Sequence, residues 1–143
     1  GTDIRICAEH ASFALPEVKR GVIPFAGSLA RLARKVPFSA AMEILLTGEA
    51  FSATQALRMG LVNRVVPAED VMPIAHRMAM ALAQNGPLAI RAVKRTVLAA
   101  SGRSLDEAYG LEDQAKALIM ASEDAREGPR AFIEKRPPVY RGR

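Results

Sequence analysis

Hydrophobic positions change period along this chain. Between Asp3 and Ala8, Ile4 and Ile6 alternate with Arg5 and Cys7, a period of two that predicts a half-buried strand. A second extended piece, Ser12 to Leu15, runs into Pro16. The stretch Leu61 to Val66 carries Leu61, Val62, Val65 and Val66 before Pro67 and predicts a short strand or an extended connection. Elsewhere the apolar spacing is helical. Ser28 to Lys35 carries Leu29 and Leu32, and Ala40 to Leu46 follows Ser39 and stops at Thr47-Gly48. Ser52 and Gln55 have capping-box spacing, and the helix behind them should end at Gly60, a residue suited to a left-handed C-cap. Val71, Ile74, Ala75, Met78 and Leu82 form the next stripe, closed by Asn85-Gly86. Pro87 suits a first helical position, with Ile90, Val93, Val97 and Leu98 behind it. Ser104 and Glu107 make a second capping box, for a helix reaching about Ala121. Ser122-Glu123-Asp124 opens the last helix with acids at its positive end, and Pro137-Pro138 closes it. The polar end, Tyr140 to Arg143, is expected to be loose.

The order is therefore two or three short strands near the N-terminal side, then six or seven helices. A two-stranded sheet is marginal by itself, so the strands are expected to complete a sheet whose other members lie outside this chain.

Composition narrows the function classes. Half of the 143 residues are hydrophobic, which excludes intrinsic disorder. Cys7 is the single cysteine, so no intramolecular disulfide forms and a reducing, cytoplasmic setting is expected. With only Cys7, His10 and His76 as sulfur and nitrogen ligands, no structural zinc site is expected, and no metal. No apolar run reaches the roughly 18 residues of a membrane span, and the first residues show no signal peptide. The net charge of +5 is scattered rather than blocked, and seven aromatics are thin for base stacking, so nucleic acid is not the expected partner. The methionines at 59, 72, 78, 80 and 120 are read as helix packing residues, with a share in subunit contacts.

A set of ordered motifs is more specific. Asp3 to Ala8, Phe13 to Gly21 with Pro16-Glu17, and Ile23-Pro24 are followed by Ala41-Met42-Glu43, Leu46-Thr47-Gly48, Gly60-Leu61-Val62-Asn63 and Asn85-Gly86-Pro87. Ser122-Glu123-Asp124, Glu127-Gly128 and Phe132 to Arg136 complete the series. Taken together the chain resembles the crotonase superfamily, the enoyl-CoA hydratases and isomerases, over nearly its whole length. The resemblance implies an α/β spiral fold of the crotonase type, of which this chain would be the C-terminal half. Residues 1–36 would be the end of the core, with the last strands, the active-site loop and the following helix. Residues 37–143 would be the C-terminal helical region, including oligomerisation helices. The family's oxyanion-hole N–H groups and one of its two glutamates would then lie upstream.

Glu17 matches the second hydratase glutamate. Adding water to an α,β-unsaturated thioester needs a proton at the α carbon and hydroxide character at the β carbon. Paired carboxylates can supply both if burial brings one toward neutrality, and an oxyanion hole stabilises the enolate-like transition state. Glu17 would exchange the α proton; the alternative is a solvated loop glutamate beside Lys19 and Arg20. In the loop that follows, Phe25 and Ser28 stand where many hydratases have glycine, and Leu29-Ala30 replace a Thr-Gln pair. Phe25, Ala26, Gly27 and Leu29 would border the acyl group, with Phe25 either placing a ring near it or serving as a core aromatic. Lys135 matches a position near the nucleotide of coenzyme A, where a cation can meet phosphate oxygens; otherwise it is a solvated helix charge. Cys7 reads as a packed small residue, and His76 as a surface side chain.

The implied function is hydration of trans-2-enoyl-CoA by glutamate acid/base catalysis, as in fatty-acid β-oxidation. No separate cofactor is expected, since coenzyme A is part of the acyl-CoA substrate. The subunit is expected in a homotrimer or hexamer. The alternatives are an enoyl-CoA isomerase, a CoA-thioester hydrolase, or a non-catalytic oligomerising fragment.

Overall fold

The computed structural model describes residues 2–143, and they pack as two units, one up to residue 76 and the other from 77 to 143. In the N-terminal unit, strand β1 (Ile6–Ala8) lies parallel to β4 (Arg64–Val66), with Cys7 opposite Val65. The ladder is extended by Arg5 N–H donating to Asn63 Oδ1 at 2.8 Å and by Glu9 N–H donating to the Val66 carbonyl at 2.9 Å. Between these strands, β2 (Ser12–Phe13) pairs antiparallel with β3 (Phe51–Ser52). The second pairing sets Phe13 opposite Phe51, and their rings stack with centroids 5.6 Å apart. The pairing partners, and β3 itself, are invisible to hydrophobic periodicity because two or three residues carry no period.

Three helices complete this unit: α1 (Ser28–Leu32), α2 (Phe38–Thr47) and α3 (Ala53–Arg58). Helix α2 ends where expected, with Gly48 in the left-handed conformation at φ 61°. Helix α3 has the capping box read from Ser52 and Gln55, each side chain bonding the other's backbone N–H. The core joins Ile44, Phe51, Ala56 and Val62, with Cys7, Phe13, Leu15, Leu32 and Met59 packed against it.

Helix α4 (Val71–Ala83) runs through the boundary between the units. The C-terminal unit holds α5 (Pro87–Ala100), α6 (Leu105–Met120) and α7 (Asp124–Ile133), with α5 packed on α6 and α6 on α7. Pro87 takes the first helical position, and the Ser104–Glu107 capping box forms as read. Few side chains are buried here. Val93 and Val97 of the α5 stripe remain 64% and 66% exposed, since a helix pair leaves one face of each helix open. Met72, Met80 and Met120 are likewise exposed, so the reading of these three as packing residues does not hold.

The C-terminal segment is not loose. Asp124 takes the N–H groups of Arg141 and Gly142 on its two carboxylate oxygens, at 2.7 and 2.9 Å. The Arg143 carbonyl accepts from Glu123 N–H at 2.8 Å. The acids that the pattern assigned to the helix dipole thus also satisfy the backbone of the returning tail. Tyr140 packs beside Gly86 and against Gly128, where a Cβ would stand 3.1 Å from its hydroxyl. One turn further along α7, Glu127 accepts Arg136 Nη1 and Nη2 at 2.6 and 3.0 Å and Val139 N–H at 2.9 Å. Arg136 and then the Val139 amide hold the Glu127 carboxyl down at about 2, against its ordinary 4.5.

A carboxyl depressed in the folded state contributes stability that is complete above its unfolded pKa and is lost as pH falls through the folded one. The thermal midpoint of the chain should therefore drop between about pH 4.5 and pH 2, and Glu127→Gln should flatten that drop. Circular dichroism melts across this range check it; equal slopes in the two proteins would show that Glu127 is not the linked group.

Candidate functional site

The candidate site of the N-terminal unit is built on one short turn. Pro16 starts a 3-10 turn, Pro16–Arg20, with its fixed φ at the first position, and Gly21 ends it at φ 73°. Gly21 N–H bonds the Val18 carbonyl, and Val22 N–H bonds that of Glu17. Glu17 sits in the first turn, half-buried. Its Oε2 atom is shut off from solvent and takes no hydrogen bond from any described residue. Buried acceptors are normally satisfied, so this carboxylate oxygen stands open to a partner from outside the described residues.

The neighbouring cation is committed elsewhere. Lys19 reaches across to Glu49, Nζ to Oε1 2.7 Å, and does not neutralise Glu17. That bridge ties the turn to the residue just after α2. Gly48, one residue earlier, lies under the turn itself. A Cβ there would stand 3.1 Å from Val18 Cγ2, 3.2 Å from Pro16 Cα and 3.3 Å from the Leu15 carbonyl oxygen. Glycine is required at 48 twice over, for its positive φ and for the close approach of backbone carrying Glu17. Gly48 and Glu49 are site-shaping residues that the sequence reading did not single out. The signal was present as the glycine of Leu46-Thr47-Gly48, read as a helix stop and as one motif of the family series, with no link to the turn of Glu17.

The loop after the turn is strained and tied down. Ala26 and Gly27 are both left-handed, at φ 55° and 81°. Ser28 Oγ donates to the Phe25 carbonyl at 2.9 Å, and Arg31 Nη2 donates to the Ala26 carbonyl. Serine at 28 thus replaces the expected glycine with a side chain that closes the loop. Phe25 is 69% exposed, so it is not a core aromatic. Leu29, on the first turn of α1, is also exposed. Beside this loop a cavity of about 200 Å³ is lined by Arg5, Arg31 and Lys35 over Leu15, Leu32 and Leu61.

Lys135 belongs to the C-terminal unit. It follows α7, is exposed, and holds a left-handed backbone at φ 53°. Among the other reactive side chains, burial pushes the Cys7 thiol up, away from a thiolate, and it packs against the core as expected. His10 and His76 are exposed. No cluster of three or more His, Cys, Asp or Glu among the described residues is placed to hold a metal ion. No helix among them is long and apolar enough to cross a membrane.

The model of the family described as enoyl-CoA hydratase/isomerase matches residues 1–143. An enoyl-CoA hydratase of Mycobacterium tuberculosis is 40% identical over 143 residues, covering 100% of this chain and 54% of that protein. A carnitinyl-CoA dehydratase of Salmonella paratyphi A is 43% identical over 146 residues, covering 99% and 56%. Among solved structures, an enoyl-CoA hydratase/isomerase from Mycobacterium abscessus superposes with a TM-score of 0.95 at 44% identity, covering 99% of this chain and 59% of that one. The enoyl-CoA hydratase of Bacillus anthracis gives 0.96 at 38%, covering 99% and 55%. The fold is thus the α/β crotonase type, mostly helical with few short strands. The chain spans just over half the length of the curated relatives it matches. These shares correct the placement expected from motif order: they establish a portion of a relative's length and do not establish it as the C-terminal half.

A methyl group at position 48 should loosen the seat of Glu17. Gly48→Ala is expected to cost about 2 kcal/mol of stability, from left-handed strain and contact with the Pro16 backbone. Urea unfolding measures this. A variant as stable as the parent would show that the turn does not rest on Gly48.

Proposed function

The chain belongs to the enoyl-CoA hydratase/isomerase family, and from that premise we propose that it carries the glutamate acid/base of an enzyme that adds water to trans-2-enoyl-CoA thioesters. The observation that carries the reading is the Glu17 carboxylate, half-buried, with one oxygen lacking any partner and its neighbour Lys19 drawn away to Glu49. An acid/base group must have a free oxygen facing the reacting proton, and a carboxylate spent on a salt bridge cannot serve. Glu17 would give and take the proton at the α carbon.

The remaining machinery, the oxyanion donors and a second carboxylate for the water, would come from parts of a relative-length subunit beyond these residues. Phe25, Ala26, Gly27 and Leu29 would border the acyl chain. The exposed ring of Phe25 and the exposed Leu29 side chain suit an apolar ligand. Lys135 would meet phosphate oxygens of coenzyme A. No cofactor is needed beyond the coenzyme A of the substrate, because hydration is redox-neutral: the water oxygen bonds the β carbon as the π bond breaks, a base takes the water proton, and a proton is delivered to the α carbon.

Two relatives bear names that favour this chemistry over its alternatives. One is called a hydratase and the other a dehydratase, and adding and removing water share one transition state. A double-bond isomerase is the second reading. The family description includes isomerases, and a single carboxylate such as Glu17 suffices to move a proton between carbons. Assembly into a homotrimer or hexamer belongs to the same proposal, supported by the exposed apolar side chains Val93, Val97 and Leu118. So does a place in cytoplasmic fatty-acid breakdown.

In a subunit of the relatives' length, Glu17→Gln should lower crotonyl-CoA hydration by about 10²- to 10⁴-fold, the usual weight of a general acid/base, and leave the affinity for coenzyme A unchanged. Retained hydration in the variant would remove Glu17 from the chemistry. A parent that shifts a 3-enoyl thioester to the 2-enoyl form without hydrating it would favour the isomerase.

A further inference from the structure

Among the described residues, the only non-glycine residues at positive φ are Ala26 and Lys135. The second of these sits in a closed helix end. Arg136 N–H bonds the Ala131 carbonyl at 3.0 Å and Lys135 N–H bonds that of Phe132 at 3.2 Å, the paired bonds of a Schellman turn. Its left-handed position normally belongs to glycine, and an L side chain there is strained. A residue held in such a conformation needs both a brace and a reason.

Arg136 supplies the brace. Arg136 donates Nη1 and Nη2 to Glu127 at 2.6 and 3.0 Å, and Nε to Glu134 at 2.6 Å. The side chains on either side of Lys135 are therefore joined to each other, and one of them is pinned to the body of α7. The Glu127 side chain is only 17% exposed, and its third hydrogen bond, from Val139 N–H, fixes the chain beyond the turn as well. All three guanidinium nitrogens of Arg136 point to carboxylates, so Arg136 is spent as a ligand for any outside anion. Lys135 is exposed, its ammonium makes no ion pair or hydrogen bond to any described residue, and it is the cation left over in this run.

Resting on the reading of Lys135 as a phosphate-facing cation, we infer that Glu127 and Arg136 are positioning residues. Their forked ion pair holds Lys135 in the left-handed conformation that presents its ammonium to the phosphates of a coenzyme A thioester. Neither touches the ligand. The inference separates two roles within one Glu-Lys-Arg run: Arg136 faces the protein, and Lys135 faces the substrate.

Calorimetric titration of the 143-residue chain with coenzyme A and with pantetheine, which lacks the phosphates, tests this. Lys135→Gly keeps the backbone and removes the charge; it should weaken coenzyme A binding about tenfold and leave pantetheine unchanged. Glu127→Gln should weaken coenzyme A by the same factor with the same selectivity. The double variant should be no weaker than either single one, because both act through one ammonium. If Glu127→Gln loses helical circular dichroism, Arg136→Lys, which keeps the charge and gives up the fork, is read in its place. Wild-type coenzyme A affinity in the pair variants, or losses that multiply in the double variant, would overturn the positioning role while leaving Lys135 as a phosphate ligand. Unchanged affinity in Lys135→Gly, or no coenzyme A heat with the parent chain, would overturn the reading of Lys135 and the inference with it.

Discussion

The contact between Gly48 and the backbone of Leu15 and Pro16 is the constraint on which the candidate site depends. It brings the end of α2 within van der Waals reach of the turn that carries Glu17. No other residue type allows both the left-handed φ and that approach. The Lys19–Glu49 bridge closes the same junction from the side and draws away the cation nearest to Glu17 in sequence. Exposed ion pairs contribute little to stability. The consequence here lies in where Lys19 is kept rather than in the energy of the bond. Glu17 is left half-buried and under-bonded, the state an acid/base group requires.

The C-terminal unit solves a different problem. Its helices bury few side chains, so packing alone holds the last segment weakly. Hydrogen bonds to carboxylates take over. Asp124 binds two backbone N–H groups of the tail, and Glu127 binds the Arg136 fork and Val139. Charge-assisted bonds of this kind are short and directional, and they fix geometry at a helix end that would otherwise fray. The same groups make this end sensitive to acid, because the depressed Glu127 carboxyl must remain ionised to hold the fork.

The family and the element order were legible in the residues before any coordinates, and so were both capping boxes and the glycine end of α2. These are local signals: a hydroxyl three residues before a Gln or Glu, or a glycine after an apolar stripe, acts within one helical turn. The strand partners were not legible, since β1 meets β4 across more than fifty intervening residues and β3 is only two residues long. The tail was misread as loose because its own polarity carries no trace of Asp124 seventeen residues earlier. The methionines of α4 and α6 were misread because periodicity places residues on a face without saying whether that face is covered.

The amino-acid order alone determined which segments form helices, and that Pro16-Glu17 stands between a strand and a helix, though α1, α3 and α7 stop short of the ends it indicated. It also determined the chemistry on offer, a carboxylate at that position with cations close by in sequence. The tertiary structure decided which of those groups are free. Glu17 and Lys19 are two residues apart, and sequence treats them as neighbours; the fold gives Lys19 to Glu49 and leaves one Glu17 oxygen without a partner. Lys135 and Arg136 look interchangeable in the chain, and the fold spends one on Glu127 and leaves the other exposed. The physical reason is the same in both cases. Whether an ionisable group is available is set by what lies opposite it in space, and that partner is fixed by packing between distant segments.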